Sequence, residues 1–318
     1  MTGFVEVAVL ASTILFVLTW TFVVLVAPHL RWRATISPMR RISIARAWLY
    51  APFWVPLALL AGSLSLGLVA DPLGDHCLKH AHWHHLCWVH PPQPTNHAIV
   101  WLLPTAILIP ALGSLARVLR DVSREGRLAK DLVWVSSPCG LGPDIRLIDQ
   151  EKPIALTIGW RTPHILLSSG LVQHISSHAF QTVLAHERAH ISRGDIPLAL
   201  IDRFTASLLP RSVANPLLEH ISLGREMACD VAAANKVGGP IVVARALTEV
   251  AALGMKPVAT GLSLVGSTLE LRVTYLLQPA TKEWGWCVPA TILAAVVAAG
   301  AGPVHTVVET LITFLLQS

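Results

Sequence analysis

Leu184-Ala185-His186-Glu187-Arg188-Ala189-His190-Ile191-Ser192 is the stretch on which the reading of this 318-residue chain turns. The residues before it, Ala179–Ala185, are mostly apolar, and a serine cap ahead of them predicts a helix over about Ser177–Ser192. On a helix, positions four apart share one face. The imidazoles of His186 and His190 can therefore reach a single divalent ion, with Glu187 directed at a water on that ion. With 15 histidines in 318 residues, an H-E-x-x-H pattern arises by chance roughly 0.02 times.

A catalytic zinc site keeps three protein ligands and one open position. Glu226, in Arg225-Glu226-Met227-Ala228-Cys229-Asp230, is the candidate third ligand. It falls on a second helix read from about Pro216 to Lys236, with Gly238-Gly239 as its stop. Asp230 lies four residues further, on the same face. A carboxylate there can accept the ring N–H of a ligating histidine and fix its tautomer. Asp195, just past His190, is a weaker candidate for the same support, and reads equally well as a helix-terminus residue. Cys229 reads as a small buried thiol. These residue types imply one zinc ion, with Glu187 as the general base of peptide hydrolysis.

Outward from this core the chain turns apolar. Hydrophobic residues make up 53% of it, charged residues only 14%, against roughly 25% in soluble domains; the mean hydropathy is +0.58. Val7–Ala27, Ala47–Ala70, Ala98–Ala116 and Trp284–Val308 carry no charged residue, and each is close to the about 20 residues a spanning helix needs. The first lacks a basic start and a small-residue cleavage site, so we read it as a retained span and not a signal peptide. The fourth contains Pro289, Gly300, Gly302 and Pro303 and reads as a span to about Ala301. The apolar stretch 304–316 then lies on the membrane or folds back into it.

The formal charge of +5 is concentrated. Arg31, Arg33, Arg40, Arg41 and Arg46 follow the first span, and Arg117, Arg120, Arg124, Arg127 and Lys130 follow the third. By the positive-inside rule both stretches face the cytosol and the N-terminus lies outside. Lipid head groups account for these arginines, and nothing in their arrangement calls for nucleic acid. The expected division is three spans over 1–117, a cytosolic block over 118–283, and a membrane segment with a short tail over 284–318. Asp144–Asp149, Ile154–Ile158 and Pro163–Ser168 read as short strands, so the fold class is a membrane α-helical protein enclosing an α+β peptidase domain. The site of action is then the cytosolic face of a membrane.

Between the second and third spans, Asp71–His97 holds His76, His80, His82, His84, His85, His90 and His97 with Cys77 and Cys87. Two readings stand side by side: an exported sensor of zinc or copper, and a loop closed by a Cys77–Cys87 disulfide on the oxidising side. Cys139, Cys229 and Cys287 are expected to be reduced or buried.

The segment Leu184–Asp195 resembles the H-E-x-x-H-x-x-x-x-D stretch of the BlaR/MecR-type membrane metallopeptidases. Asn215-Pro216-Leu217 and Glu226–Asp230 resemble that family's N-P-hydrophobic and E-x-A-C-D segments, and Ile158-Gly159, Pro163–Leu167 and Leu271-Arg272 fit the same pattern. The resemblance covers about 140–280. It implies a cytosol-facing gluzincin in which His186, His190 and Glu226 hold zinc and Glu187 is the catalytic base, with a BlaI-type repressor as an implied partner. No S-x-x-K followed by K-T-G is present, so the resemblance reaches the protease and not antibiotic sensing. Two other readings compete. One is a housekeeping membrane protease of HtpX or CAAX-processing type, which shares H-E-x-x-H and a later E-x-x-x-D. The other is a non-catalytic metal receptor in which the zinc is structural.

Overall fold

A computed structural model describes residues 2–33, 36–69, 98–159, 161–254, 265–278, 310–312 and 314. Three of its helices are long and apolar enough to cross a membrane: the segments Gly3–His29, Pro38–Gly62 and Val100–Val135. The expected fourth span, Trp284–Val308, lies outside the described residues, as do the histidine-rich loop and its Cys77–Cys87 pair.

The chain divides into two compact units. The first comprises Met1–His29, Tyr50–Gly113 and Lys282–Ser318. Helix α1 (Thr2–Val26) is apolar around its circumference and contributes Val7, Leu10, Ala11, Ile14 and Leu15 to a buried cluster with Val100 and Ile312. Its hydroxyls are satisfied within the helix: Ser12, Thr13 and Thr19 each donate to the carbonyl four residues back, at 2.7 Å. Such back-bonding is what a lipid-exposed helix requires of polar side chains.

The second unit comprises Leu30–Leu49 and Ser114–Thr281. It takes in the base of α2 (Pro38–Val69) and the outer half of α3 (Ile99–Val135). The sequence reading ended the third span at Ala116, but α3 runs on unbroken, because nothing from Arg117 to Val135 stops a helix. It ends ahead of Pro138, where the helical conformation becomes unfavourable. Arg146 closes it, donating to the Val133 carbonyl at 2.6 Å and to the Ser136 hydroxyl at 3.1 Å.

Four short strands follow: β1 (Ser137–Pro138), β2 (Ile145–Ile148), β3 (Ala155–Ile158) and β4 (His164–Ser168). They form one sheet in the order β1-β2-β4-β3, with β2 and β4 parallel and the other pairs antiparallel. Beyond the sheet come α4 (Ser169–His174), α5 (Ser177–Arg193), α6 (Asp195–Ala206), α7 (Arg211–Val237), α8 (Pro240–Ala252) and α9 (Val265–Leu277). Ile145, Ile165 and Leu167 of the sheet bury against Leu171 and Leu184. A second cluster, rich in alanine, joins α5 through Ala185 to Ala233, Ala234, Val243, Ala244 and Leu276. Small side chains there let the helices approach closely.

The first arginine-rich stretch groups with this unit. Arg41 is buried and reaches His220 Nδ1 at 3.1 Å and the Arg33 carbonyl at 2.9 Å. The His220 ring stacks on Trp32 with centroids 3.9 Å apart. Arg46 donates twice to Asp202, at 3.0 Å each, and Asp202 also meets Arg225. Only Arg31, Arg33 and Arg40 remain exposed, as the lipid reading of the whole group requires.

Candidate metal centre

The site begins with helix α5. Ser176 caps it, accepting from the Ala179 amide, and Gly194 ends it in the left-handed conformation, φ 64°. A side chain would be strained at that position. Helix α6 starts at the next residue, so the turn at Gly194 folds Asp195 back onto α5. There its Oδ2 lies 2.9 Å from His190 Nδ1. The same position explains why Asp195 looked ambiguous: it is both the first residue of a helix and a partner of His190.

His186 and His190 project from one face of α5, with their Nε2 atoms 3.2 Å apart. Helix α7 supplies Glu226, whose Oε2 lies 3.5 Å from His186 Nε2 and whose Oε1 lies 3.5 Å from His190 Nε2. One turn on, Asp230 Oδ1 lies 2.9 Å from His186 Nδ1. Both rings are thus held at Nδ1 by carboxylates, which leaves both Nε2 lone pairs facing one point. Two such lone pairs and a carboxylate repel one another unless a cation or ring protons lie between them.

The spacing matches zinc. A tetrahedral ion with bonds of about 2.05 Å holds its donor atoms roughly 3.3 Å apart. The two Nε2 atoms are 3.2 Å apart, and each has one oxygen of Glu226 at 3.5 Å, Oε2 for His186 and Oε1 for His190. The charges around the rings are carboxylates and guanidiniums together: Asp195 has Arg193 at 3.4 Å, and Arg272 bridges Asp230 and Glu226. The Glu226 side chain is 32% exposed, so the cluster is open to solvent on one side.

Electrostatics bear this out. Burial lowers the His186 pKa, but its bonds to Asp230 and Glu226 outweigh burial and raise it to about 9. His190 is opposed by burial too, yet Asp195, Cys229 and Glu226 drive it up. Burial works to raise Glu226, while Arg272 and the two imidazoles hold it well below the usual carboxylate range. Without a cation, the carboxylates retain protons on the rings; a metal ion must displace them.

Glu187 is buried on the same helix, and its Oε2 accepts from the Thr157 hydroxyl at 2.7 Å. Cys229 is fully buried, 3.4 Å from His190 Nδ1 and 3.6 Å from Asp195 Oδ2. It lies behind the His190 ring, away from the converging Nε2 atoms, and burial pushes its thiol up to about 11. Two other histidines have structural partners: His174 Nδ1 meets the Gly170 carbonyl at 2.8 Å, and His220, on Arg41, is lowered to about 4 by burial and that charge.

Residues 114–257 match the family model for peptidase family M48. This segment is a metallopeptidase domain. It is similar to a protein named Protease HtpX from Nitrosococcus oceani, at 29% identity over 113 residues, 34% of this chain. The chain spans about 30% of the length of that curated relative. No solved structure matches.

Five of the six residues singled out from sequence converge, His186, His190, Asp195, Glu226 and Asp230, and Glu187 lies beside His186 on α5 with its carboxylate on Thr157. Two were missed. Thr157 sits on β3, and a threonine in a strand gives no local sign of a partner 30 residues away. Arg272, on α9, bonds Asp230 twice and reaches Glu226, and only its place beside Leu271 in the resemblance drew notice.

Proposed function

We propose that this chain is a membrane-bound zinc endopeptidase whose ion is held by His186, His190 and Glu226, with Glu187 as general base. The observation that carries this reading is the convergence of three side chains, two Nε2 atoms 3.2 Å apart with a Glu226 oxygen 3.5 Å from each, with each ring nitrogen behind them held by a carboxylate.

When bound, zinc supplies Lewis acidity that brings a water to a pKa of about 7. The chain's own residues do the rest. Thr157 takes Oε2 of Glu187, which leaves Oε1 to accept the proton of the attacking water and pass it to the leaving amine. Asp195 and Asp230 keep both imidazoles in the tautomer that ligates. β3 is an outer strand of the sheet, so an extended substrate pairing along it is brought to Thr157 and Glu187.

The HtpX-type housekeeping protease is supported by the matched relative. The BlaR/MecR-like signalling reading is supported by the Glu226–Asp230 segment, and would make a BlaI-type repressor the substrate. Both put a cytosolic or membrane-proximal protein in the site. The arginine distribution supports a cytosolic peptidase domain and an external N-terminus in a bacterial inner membrane. Comparing the proteome of cells carrying the wild type with that of cells carrying Glu187→Gln tests the reading. Cleavage products present only with the wild type, at equal zinc content, support it. Equal cleavage by both contradicts the role of Glu187.

A further inference from the structure

Arg272 lies on α9, beyond the segment that matches the peptidase family. Its side chain is almost wholly buried and uses three nitrogens. Nε and one terminal nitrogen donate to the two oxygens of Asp230 at 2.7 Å each. The other terminal nitrogen lies 3.1 Å from Glu226 Oε2. One guanidinium therefore spans the third candidate ligand and the carboxylate behind His186. A planar fork with five fixed N–H groups can do this, and a lysine ammonium on a flexible stem cannot.

The contacts also distinguish the two oxygens of Glu226. Each oxygen has an imidazole Nε2 at 3.5 Å, Oε2 that of His186 and Oε1 that of His190, but Oε2 alone also meets Arg272, at 3.1 Å. A guanidinium on Oε2 competes with a metal for that oxygen's electrons and favours binding through Oε1 alone. That keeps a coordination position open for water and substrate, as a catalytic site needs. Both oxygens of Asp230 are engaged by Arg272, and Oδ1 also accepts from His186 Nδ1. The clamp thus sets the ring of His186 and the denticity of Glu226 together.

We infer that Arg272 is the positioning residue of the metal centre, holding Glu226 to a single ligating oxygen while it fixes Asp230 behind His186. This rests on the metal reading proposed above. It also makes docking of α9 a condition for tight metal binding, since Leu276 of the same helix packs in the cluster with Ala185 of α5.

The test uses the full chain in detergent, with Zn²⁺ affinity measured against a chromophoric chelator and the visible spectrum recorded after Co²⁺ substitution. Arg272→Lys should bind zinc roughly tenfold or more weakly, and its cobalt bands should weaken as Glu226 chelates through both oxygens. Removing Arg272 alone strands a buried carboxylate and threatens folding. The pair Asp230→Asn and Asp230→Asn/Arg272→Met avoids that, because asparagine can still accept from His186. The double variant should bind zinc more weakly than Asp230→Asn alone, with an unchanged far-ultraviolet circular dichroism spectrum. Wild-type affinity and cobalt bands in Arg272→Lys, with no difference within the pair, would overturn the assignment. His186→Ala separates the two levels: zinc retained there defeats the metal reading itself, and zinc lost while Arg272→Lys stays wild-type defeats only the role of Arg272.

Discussion

His186 Nδ1 lies 2.9 Å from Asp230 Oδ1, and His190 Nδ1 lies 2.9 Å from Asp195 Oδ2. The two carboxylates come from different helices, α7 and α6, yet each does the same thing to its ring. Each accepts the hydrogen bond of Nδ1–H and turns Nε2 toward the shared point. The site is therefore built in two layers, with the outer carboxylates supplied by α6, which follows α5 directly, and by α7.

Asp230→Ala should lower zinc affinity about 10- to 100-fold, the usual effect of removing an outer partner of a ligating histidine. Asp230→Asn, which still accepts the ring N–H, should lose less. A chelator titration of both variants checks the order.

The metal-free protein should lose stability as pH rises from 6.5 to about 9. His186 moves from 6.5 to about 9 on folding, because its bonds to Asp230 and Glu226 outweigh burial. A raised pKa contributes stability that is complete below the unfolded value and fades as pH climbs through the folded one. Zinc affinity should move in the opposite direction, rising over the same interval as fewer protons need displacing. Thermal unfolding at several pH values, with and without zinc, shows both trends; parallel curves would contradict the ring assignments.

Thr157→Val should reduce kcat by roughly ten- to a hundredfold by freeing Glu187 Oε2, with zinc content unchanged. Thr157→Ser keeps the hydroxyl and should keep most of the activity. Single-turnover cleavage of a peptide substrate by each variant measures this.

Gly224→Ala should destabilise the peptidase unit by about 1–3 kcal/mol through overpacking. A Cβ there would meet Ile42 Cγ1 at 2.7 Å and the Pro38 carbonyl at 3.1 Å. The base of α2 therefore rests on α7 two residues before Glu226. Calorimetry of the full chain in detergent reads the effect.

The legible part of this protein was what repeats locally. Four-residue spacing placed His186 with His190 and Glu226 with Asp230, and the serine cap started α5 at Ser177, with its end at Arg193 beside the expected Ser192. The length of α3 was not legible, because a charged stretch that continues a helix looks like one that leaves it. Nor was the place of Leu30–Leu49: Arg41 and Arg46 read as lipid contacts, but their partners His220 and Asp202 lie more than 150 residues away in sequence. Arg272 escaped for the same reason, with 42 residues between it and Asp230. Side chains that meet across such distances leave no period in the sequence.

Zinc K-edge X-ray absorption of the full chain tests the central claim most directly. Our account predicts one zinc per chain, two imidazole nitrogens and carboxylate or water oxygens at about 2.0–2.2 Å, and no sulfur. A sulfur shell near about 2.3 Å would put Cys229 on the metal in place of Glu226, and would contradict the site described here.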